Sequence, residues 1–436
     1  MNLTTPAGRQ LAWYLEVMNS DMRGLTLDEH DLHFAAPAEA TEDELRTAWS
    51  GWATRVGHTA IDKVTRDDEH EIAVELSTDK STRYQLTIAV EPKPPHRVQA
   101  MDWQRLYDFT VAVREATEAD GPALAEIEQR APIEVGDARV TFDRSADYLA
   151  AARLMEDATV VMAEVDGEPA AVEWGALHHT RIGGRHYRLV NFIHLRVAAE
   201  HQRKGLWGAL VRKLNEIYPA EVAADGDYAC AARDNHSIQN AFAGRPRWRV
   251  APVRALIRAQ PASSSAAPAP GRPATPDDAE RIVELLNTTH GREAMFLPYT
   301  TEALRTRLER APDLYTWQHL RLTENAVVGV WPSGAQIRVL RETDGHTTET
   351  RHGLVLDYGY APGAEAEFEQ LFGYWGDRLA AHDHTHLSIF TSEPSPSYPI
   401  IERLADRLEP FDIWTYPVGE PESTAADGVY ADQVYF

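Results

Sequence analysis

Apolar residues recur at helical spacing over Gly8–Asn19 and again over Glu42–Val56, where Leu45, Trp49, Trp52 and Val56 form one stripe suited to packing on a sheet. Four strand-like stretches follow, Thr59–Val64, Glu71–Leu76, Tyr84–Val90 and Arg97–Trp103, with Pro92, Pro94 and Pro95 among the turn residues between them. Helices and then a meander predict a small α+β unit over residues 1–105. From Thr110 the pattern changes to alternating elements. A strand over Thr110–Arg114 is followed by small polar residues and a helix over Gly121–Arg130. Thr159–Val165 and Pro169–His178, joined by Asp166-Gly167, predict a β-hairpin. Leu189–Val197 reads as a strand and Lys204–Tyr218 as a helix with Leu206, Leu210, Leu214 and Ile217 on one face. A strand at Asp227–Ala232, a helix at Ser237–Ala243 and a strand at Trp248–Arg258 complete a second unit, 106–260.

The segment Gln260–Pro276 is rich in Ala, Pro and Ser and marks a connection. Beyond it, residues 272–436 repeat the opening of the second unit. Arg114, Ala116, Thr117 and Asp120 match Arg272, Ala274, Thr275 and Asp278 as R-x-A-T-x-x-D, at positions 114 and 272, one domain length apart. A strand at Leu354–Tyr360, a helix at Glu365–Ala380 and a strand at Leu387–Phe390 extend the parallel, which predicts an internal repeat.

Composition narrows the class. The chain has 436 residues with 43% hydrophobic and 25% charged, ordinary values for globular domains. No apolar run reaches the ~18 residues of a membrane helix, and the first ten residues do not read as a secretory signal. A single cysteine, Cys230, excludes an internal disulfide and fits a reducing cytoplasm; on a predicted central strand it reads as a small buried hydrophobe. The net charge of −24 argues against general nucleic-acid binding and favours a cationic small molecule, if it does more than aid solubility. His382, His384 and His386 alternate, as metal ligands on one strand face could, but their place between a helix and a strand favours a solvated turn.

Chemistry is concentrated in Leu189–Leu210. Here a strand runs into a Gly-bearing turn that opens a helix, and such a helix start offers backbone N–H groups and a positive dipole end to a pyrophosphate. Gly205 lets phosphate oxygens approach the backbone, and Gln202, Arg203 and Lys204 can add donors. The segment resembles the acyl-CoA signature of the GNAT superfamily, Gln/Arg-x-x-Gly-x-Gly/Ala after a Leu-x-Val strand. Gln202 and Gly205 fall on its first two positions; Trp207 stands where Gly or Ala is usual, with Gly208 one place later. The resemblance implies that the backbone of Leu195 and Val197 binds the pantetheine arm and that an N–H near them meets the carbonyl oxygen. It also implies that Asn235, in the run Asn235–Phe242, hydrogen-bonds pantetheine, and that Phe242 replaces the Tyr that often protonates the leaving thiolate.

The expected fold is therefore α+β, with two GNAT-like mixed-sheet domains in tandem. The second is degenerate, because Glu365, Glu367 and Glu369 crowd its equivalent helix start. The small N-terminal unit resembles cystatin-like or nuclear-transport-factor-like accessory modules. The implied activity is transfer of an acetyl or other short acyl group from acyl-CoA to the amine of a small-molecule acceptor in a ternary complex. A non-catalytic acyl-CoA-binding sensor or scaffold is the alternative. The candidate bases are Glu173 and His194, no metal is called for, and a homodimer is possible.

Overall fold

The computed structural model describes residues 3–20, 25–38, 41–219, 225–242, 248–260, 269–416 and 428–435, without the side chains of residues 241, 242, 248 and 416. The chain forms two compact units, one built almost wholly from residues up to Thr110 and the other from Val111 onward.

In the first unit, α1 (Pro6–Asn19), α2 (Leu27–His33) and α3 (Glu42–Val56) precede an antiparallel meander, β1 (Thr59–Asp67), β2 (Glu71–Thr78), β3 (Arg83–Val90) and β4 (Val98–Leu106). The helix starts are written locally: Thr5 accepts from Gly8 N, and Thr41 and Glu44 form a capping box. Leu11, Leu15 and Met18 of α1 and Leu45 and Val56 of α3 share a core with Ile72, Val74, Leu86 and Ile88 of the sheet. Trp52 and Tyr84 meet Trp103 edge-on, so the aromatic stripe of α3 is packing, as its spacing predicts.

The second unit opens with β5 (Val111–Glu115), α4 (Gly121–Arg130), β6 (Ile133–Val135), β7 (Ala138–Asp143), α5 (Ala150–Leu154), β8 (Ala158–Val165), β9 (Glu168–Ile182) and β10 (Arg185–Val197). It continues with α6 (Leu206–Ile217), β11 (Asp227–Ala232), α7 (His236–Phe242), β12 (Trp248–Val250), β13 (Val253–Arg258), β14 (Arg272–Pro273), α8 (Ala279–His290), α9 (Thr301–Glu309), β15 (Leu320–Leu322) and β16 (Ala326–Trp331). The last elements are β17 (Arg338–Thr343), β18 (His346–Tyr360), α10 (Glu365–Ala380), β19 (His386–Thr391), α11 (Tyr398–Leu404) and β20 (Arg407–Tyr416).

One sheet path runs through the unit in the order β14-β15-β16-β18-β19-β13-β20-β11-β10-β9-β8-β5. Read from its two ends, it is the same half-sheet twice. Both β5-β8-β9-β10-β11-β20 and β14-β15-β16-β18-β19-β13 pair antiparallel three times, parallel once and antiparallel again. The two halves exchange their last strands: β13 lies beside β19, β20 beside β11, and β13 and β20 pair with each other to join the halves. The predicted strand Trp248–Arg258 is broken at Ala251 and Pro252 into β12, on the end of β20, and β13. This is the expected mixed α+β architecture, built from two similar half-sheets in tandem.

The repeated R-x-A-T-x-x-D motif builds the same device in each half. Arg114 holds Asp120 through two contacts of 2.7 and 2.9 Å while Thr117 and Asp120 form a capping box before α4. Arg272 holds Asp278 at 2.7 Å, and Thr275 and Asp278 form the capping box before α8. A further ladder ties the halves together, since β17 pairs with both β18 and β7.

Candidate active site

The site begins with an irregularity in β10. Its ladder with β9 jumps from Ile193 opposite Trp174 to Arg196 opposite Val172, so His194 and Leu195 together face the single residue Glu173. His194 carries the extra residue at φ 54, in the left-handed region that non-glycine side chains seldom occupy. Such a bulge sharpens the local twist, and β10 parts from β11 at this point. Their parallel register covers only Val190–Phe192 against Asp227–Ala229. Beyond it the backbone of Ile193–Val197, including Leu195 and Val197, forms one wall of a wedge, and Cys230–Ala232, which stay paired with β20, form the other.

The signature turn stands at the end of the β10 wall. Arg203 at φ 61 and Gly205 at φ 82 are both left-handed, and Gly205 is the residue before the first turn of α6. The helix thus starts at Leu206, two residues later than its apolar spacing suggests. This backbone sets the positive end of the helix dipole at the turn, where Gly208 N donates to Gly205 O at 3.2 Å. Gln202 donates to Val197 O at 3.4 Å, and Lys204 Nζ lies 3.4 Å from His201 Nδ1. Leu206, Leu210 and Leu214 bury the inner face of α6. The helix lies close to β9 because Gly175 has no side chain: a Cβ there would stand 2.8 Å from Leu214 Cδ2.

Trp207, the departure from the signature, turns toward the sheet. Its indole N–H donates to Glu173 Oε1 at 3.1 Å, which leaves exposed Gly208 beside the helix end. Glu173 is buried, and burial pushes its carboxyl up to about 8 against the lowering effect of the Trp207 hydrogen bond. Its Oε2 has no partner among the described residues.

Glu173 and His194 do not converge. Adjacent residues of a strand face opposite sides, and His194 packs edge-on against Trp174, 4.6 Å between rings, on the α4 face, whereas Glu173 lies on the α6 face. The His194 imidazole is held well below its usual range by burial and then by the guanidiniums of Arg144 and Arg196. Around it lies a cluster that sequence spacing does not mark. Glu128 of α4 sits between Arg144 Nε at 3.1 Å and Arg196 Nε at 3.4 Å. Arg144 lies over Phe142 and Trp174, each 5.6 Å from the ring centre, and Arg196 lies 5.5 Å over Phe142. The only sequence signal is a charged residue, Arg196, inside a strand of alternating apolar positions.

Asn235 is in place at the start of α7, where its Oδ1 accepts from Ile238 N at 3.3 Å and caps the helix. The side chain of Phe242 lies outside the described residues. Cys230 is half-buried on the far wall, and burial pushes its thiol well up. Of the three alternating histidines, only His386 lies in a strand, while His384 Nδ1 donates to His382 O within the preceding turn. A cavity of about 710 Å³ lies away from the signature turn, against α10, lined by Thr275, Trp317, Arg321 and Tyr374 among others. Among the described residues no helix is long and apolar enough to cross a membrane.

No protein-family model matches the chain, and no curated protein matches it in sequence. Among solved structures it is similar in fold to N-myristoyltransferase of Saccharomyces cerevisiae with bound myristoyl-CoA, at 10% identity and a TM-score of 0.48 over 78% of this chain and 92% of that one. It is also similar to a GCN5-related N-acetyltransferase from Sphaerobacter thermophilus, at 15% identity and a TM-score of 0.42 over 71% and 96% of the two chains. A GCN5-related N-acetyltransferase from Kribbella flavida matches at 15% identity and a TM-score of 0.39 over 70% and 71%. These likenesses concern the fold; the reading of the site rests on its own geometry.

Proposed function

We propose that the second unit is an acyl-CoA-dependent N-acyltransferase that moves an acetyl or other short acyl group to the amine of a small molecule by direct attack. The observation that carries this reading is the wedge between β10 and β11, which ends at the left-handed turn Arg203–Gly205 and the start of α6. The turn and helix end hold the pyrophosphate, with Gln202, Arg203 and Lys204 as side-chain donors and Gly208 leaving room beside them. The bulged backbone at Leu195–Val197 takes the pantetheine arm and offers an N–H to the carbonyl as it gains negative charge. Asn235 reaches the arm from the opposite wall. The amine nitrogen forms the new amide bond, its proton leaves, and the thioester C–S bond breaks to release CoA as thiolate.

Glu173 is the group best suited to accept the proton, directly or through a water, because a carboxyl near 8 is part-ionised at working pH. His194 is neutral there but a weaker base, and it orients the acceptor side of the bulge. In the alternative reading, an acyl-CoA-binding sensor, the Glu173–Trp207 bond serves only to seat α6. Calorimetric titration of the full-length protein with acetyl-CoA tests the common core of both readings, with one site per chain expected. Absence of binding overturns them together. Binding without CoA release across an amine panel leaves the sensor.

A further inference from the structure

The overall charge of −24 points to a cationic acceptor, yet the side chains beside the bulge carry the opposite sign. Two guanidiniums, Arg144 and Arg196, share one carboxylate, Glu128, and among the described residues the other titratable groups packed on them are His194, whose ring is neutral, and the Tyr148 phenol. The cluster therefore has a surplus positive charge in a place largely closed to water: Arg144, Glu128, Tyr148 and Trp174 are buried, while His194, Arg196 and Phe142 are half-buried and form its outer rim. An uncompensated buried cation is costly, and proteins keep one where a ligand of opposite charge completes the set.

A second observation is independent of charge. The Tyr148 hydroxyl and the Trp174 indole N–H are buried beside each other without an aligned hydrogen bond, as are Arg144 Nε and the two Glu128 oxygens. Arg144 Nη2 reaches only the two ring nitrogens of His194, at 3.4 and 3.5 Å. The cluster thus holds its donors and the Glu128 oxygens loosely, with Arg196 Nη1 donating to Leu195 O at 2.8 Å, and it carries surplus positive charge. It sits on the α4 face of the bulge, the side of the sheet opposite α6.

We propose that this cluster binds a carboxylate of the acceptor, so that the substrate is an amine that also carries a carboxylate, an amino acid in the chemical sense, rather than a simple cation. Arg196 at the rim and Arg144 beneath it take the carboxylate, Tyr148 and Trp174 complete its hydrogen bonds, and the amine is left at the bulge where the thioester carbonyl arrives. The proposal rests on the acyltransferase reading given above.

The test is CoA release by the full-length protein at saturating acetyl-CoA, with α- and ω-amino acids, their carboxamides and the corresponding decarboxylated amines as acceptors. At least one amino acid is expected to turn over, with kcat/KM at least tenfold above its carboxamide. Arg196→Gln, at the half-buried rim, is expected to bring that ratio close to one by raising KM for the carboxylate form. Arg196→Lys should restore part of the preference. Carboxamides or plain amines that turn over as well as the amino acids overturn the proposal, as does a ratio unaltered in Arg196→Gln, or acetyl-CoA binding with no turnover of any amino acid. Failure to bind acetyl-CoA is a separate result, and it counts against the reading of the turn.

Discussion

The two halves of the large sheet share a strand order and a pairing pattern, yet they treat the same wedge in opposite ways. In the first half β10 and β11 separate beside a left-handed turn and a helix start that suits phosphate. In the second, β18 and β19 also part after three paired residues, His352–Leu354 against His386–Ser388. Here the segment 428–435 bridges the parting strands. Val429 N donates to Ser392 Oγ at 2.7 Å, the Tyr430 hydroxyl donates to Leu356 O at 3.3 Å, and Gln433 donates to Ser388 Oγ. Its Asp432 binds Arg307 of α9 at 2.7 Å, and Arg307 also holds Asp357 of β18 at 3.1 Å. The start of α10 carries Glu365 and Glu367, of which Glu367 is spent on Asn325. A wedge opened in a fold can be filled by a ligand or by the chain itself, and the second half uses its own chain.

Breaking the filled wedge should have the largest effect. Arg307 is buried between two carboxylates, with Tyr315 donating to Asp357 at 2.8 Å. Arg307→Ala leaves Asp357 and Asp432 buried without their cation and is expected to cost about 3–5 kcal/mol in urea unfolding. A loss below about 1 kcal/mol would mean that the segment is not held by this network.

The comparison is sharpened by two left-handed glycines, one residue before α6 and two residues before α10. Gly205 precedes α6 at φ 82, and Gly363 precedes α10 at φ 84 with open space where a Cβ would stand. Valine at either position carries a similar left-handed strain of roughly 1–2 kcal/mol. Only Gly205→Val should weaken acetyl-CoA binding, by tenfold or more in calorimetry, while Gly363→Val binds as the parent does. Equal losses in the two variants would show that the first turn is no phosphate site.

Glu173 adds a pH dependence to the first half. If it accepts the amine proton, kcat/KM rises with pH through about 8, and Glu173→Gln flattens the profile. Stability moves the other way. An unfolded Glu ionises near ~4.3, while the folded carboxyl stays neutral to about 8. The wild-type protein therefore loses stability as pH rises across that window. Glu173→Gln removes this loss, so its melting temperature should exceed the parent's by more at pH 8 than at pH 5. A parallel decline in both proteins would place Glu173 in water.

What was legible in the sequence was local. The Leu206-Leu210-Leu214 stripe, the Gly205 turn and the Asp166-Gly167 hairpin are set by residues a few positions apart, and each is found where its spacing places it. The strand exchange was not legible, because β13 and β20 have ordinary strand patterns and the choice between neighbours in two similar half-sheets is made by tertiary packing. Nor could alternation assign Glu173 and His194 to opposite faces, since the bulge at His194 and Leu195 shifts the register by one and leaves no mark in composition. Trp207 shows the same limit: its place in the signature is plain, but its direction depends on a carboxyl on another strand.

The smallest effect tests whether the halves are equal where the repeat is most literal. Asp120 and Asp278 each accept from a threonine backbone N–H at 2.8 Å and hold an arginine six residues upstream. The arginine first, with the threonine N–H and hydroxyl and against some desolvation, holds both carboxyls well below the usual range. Asn at either position keeps the shape of the cap but loses the charge, and because the arginines are exposed the cost should be only about 0.5–1 kcal/mol each at pH 7. The sign of the pH effect follows from the depressed values. The contribution is complete above the unfolded Asp value of ~3.9 and is lost as pH falls through the folded one, so the gap between parent and variant should close in acid. Asp120→Asn and Asp278→Asn should lower stability alike in urea unfolding at pH 7. A clear difference between them would show that the device carries load in only one half, with divergence reaching even the motif that revealed the repeat.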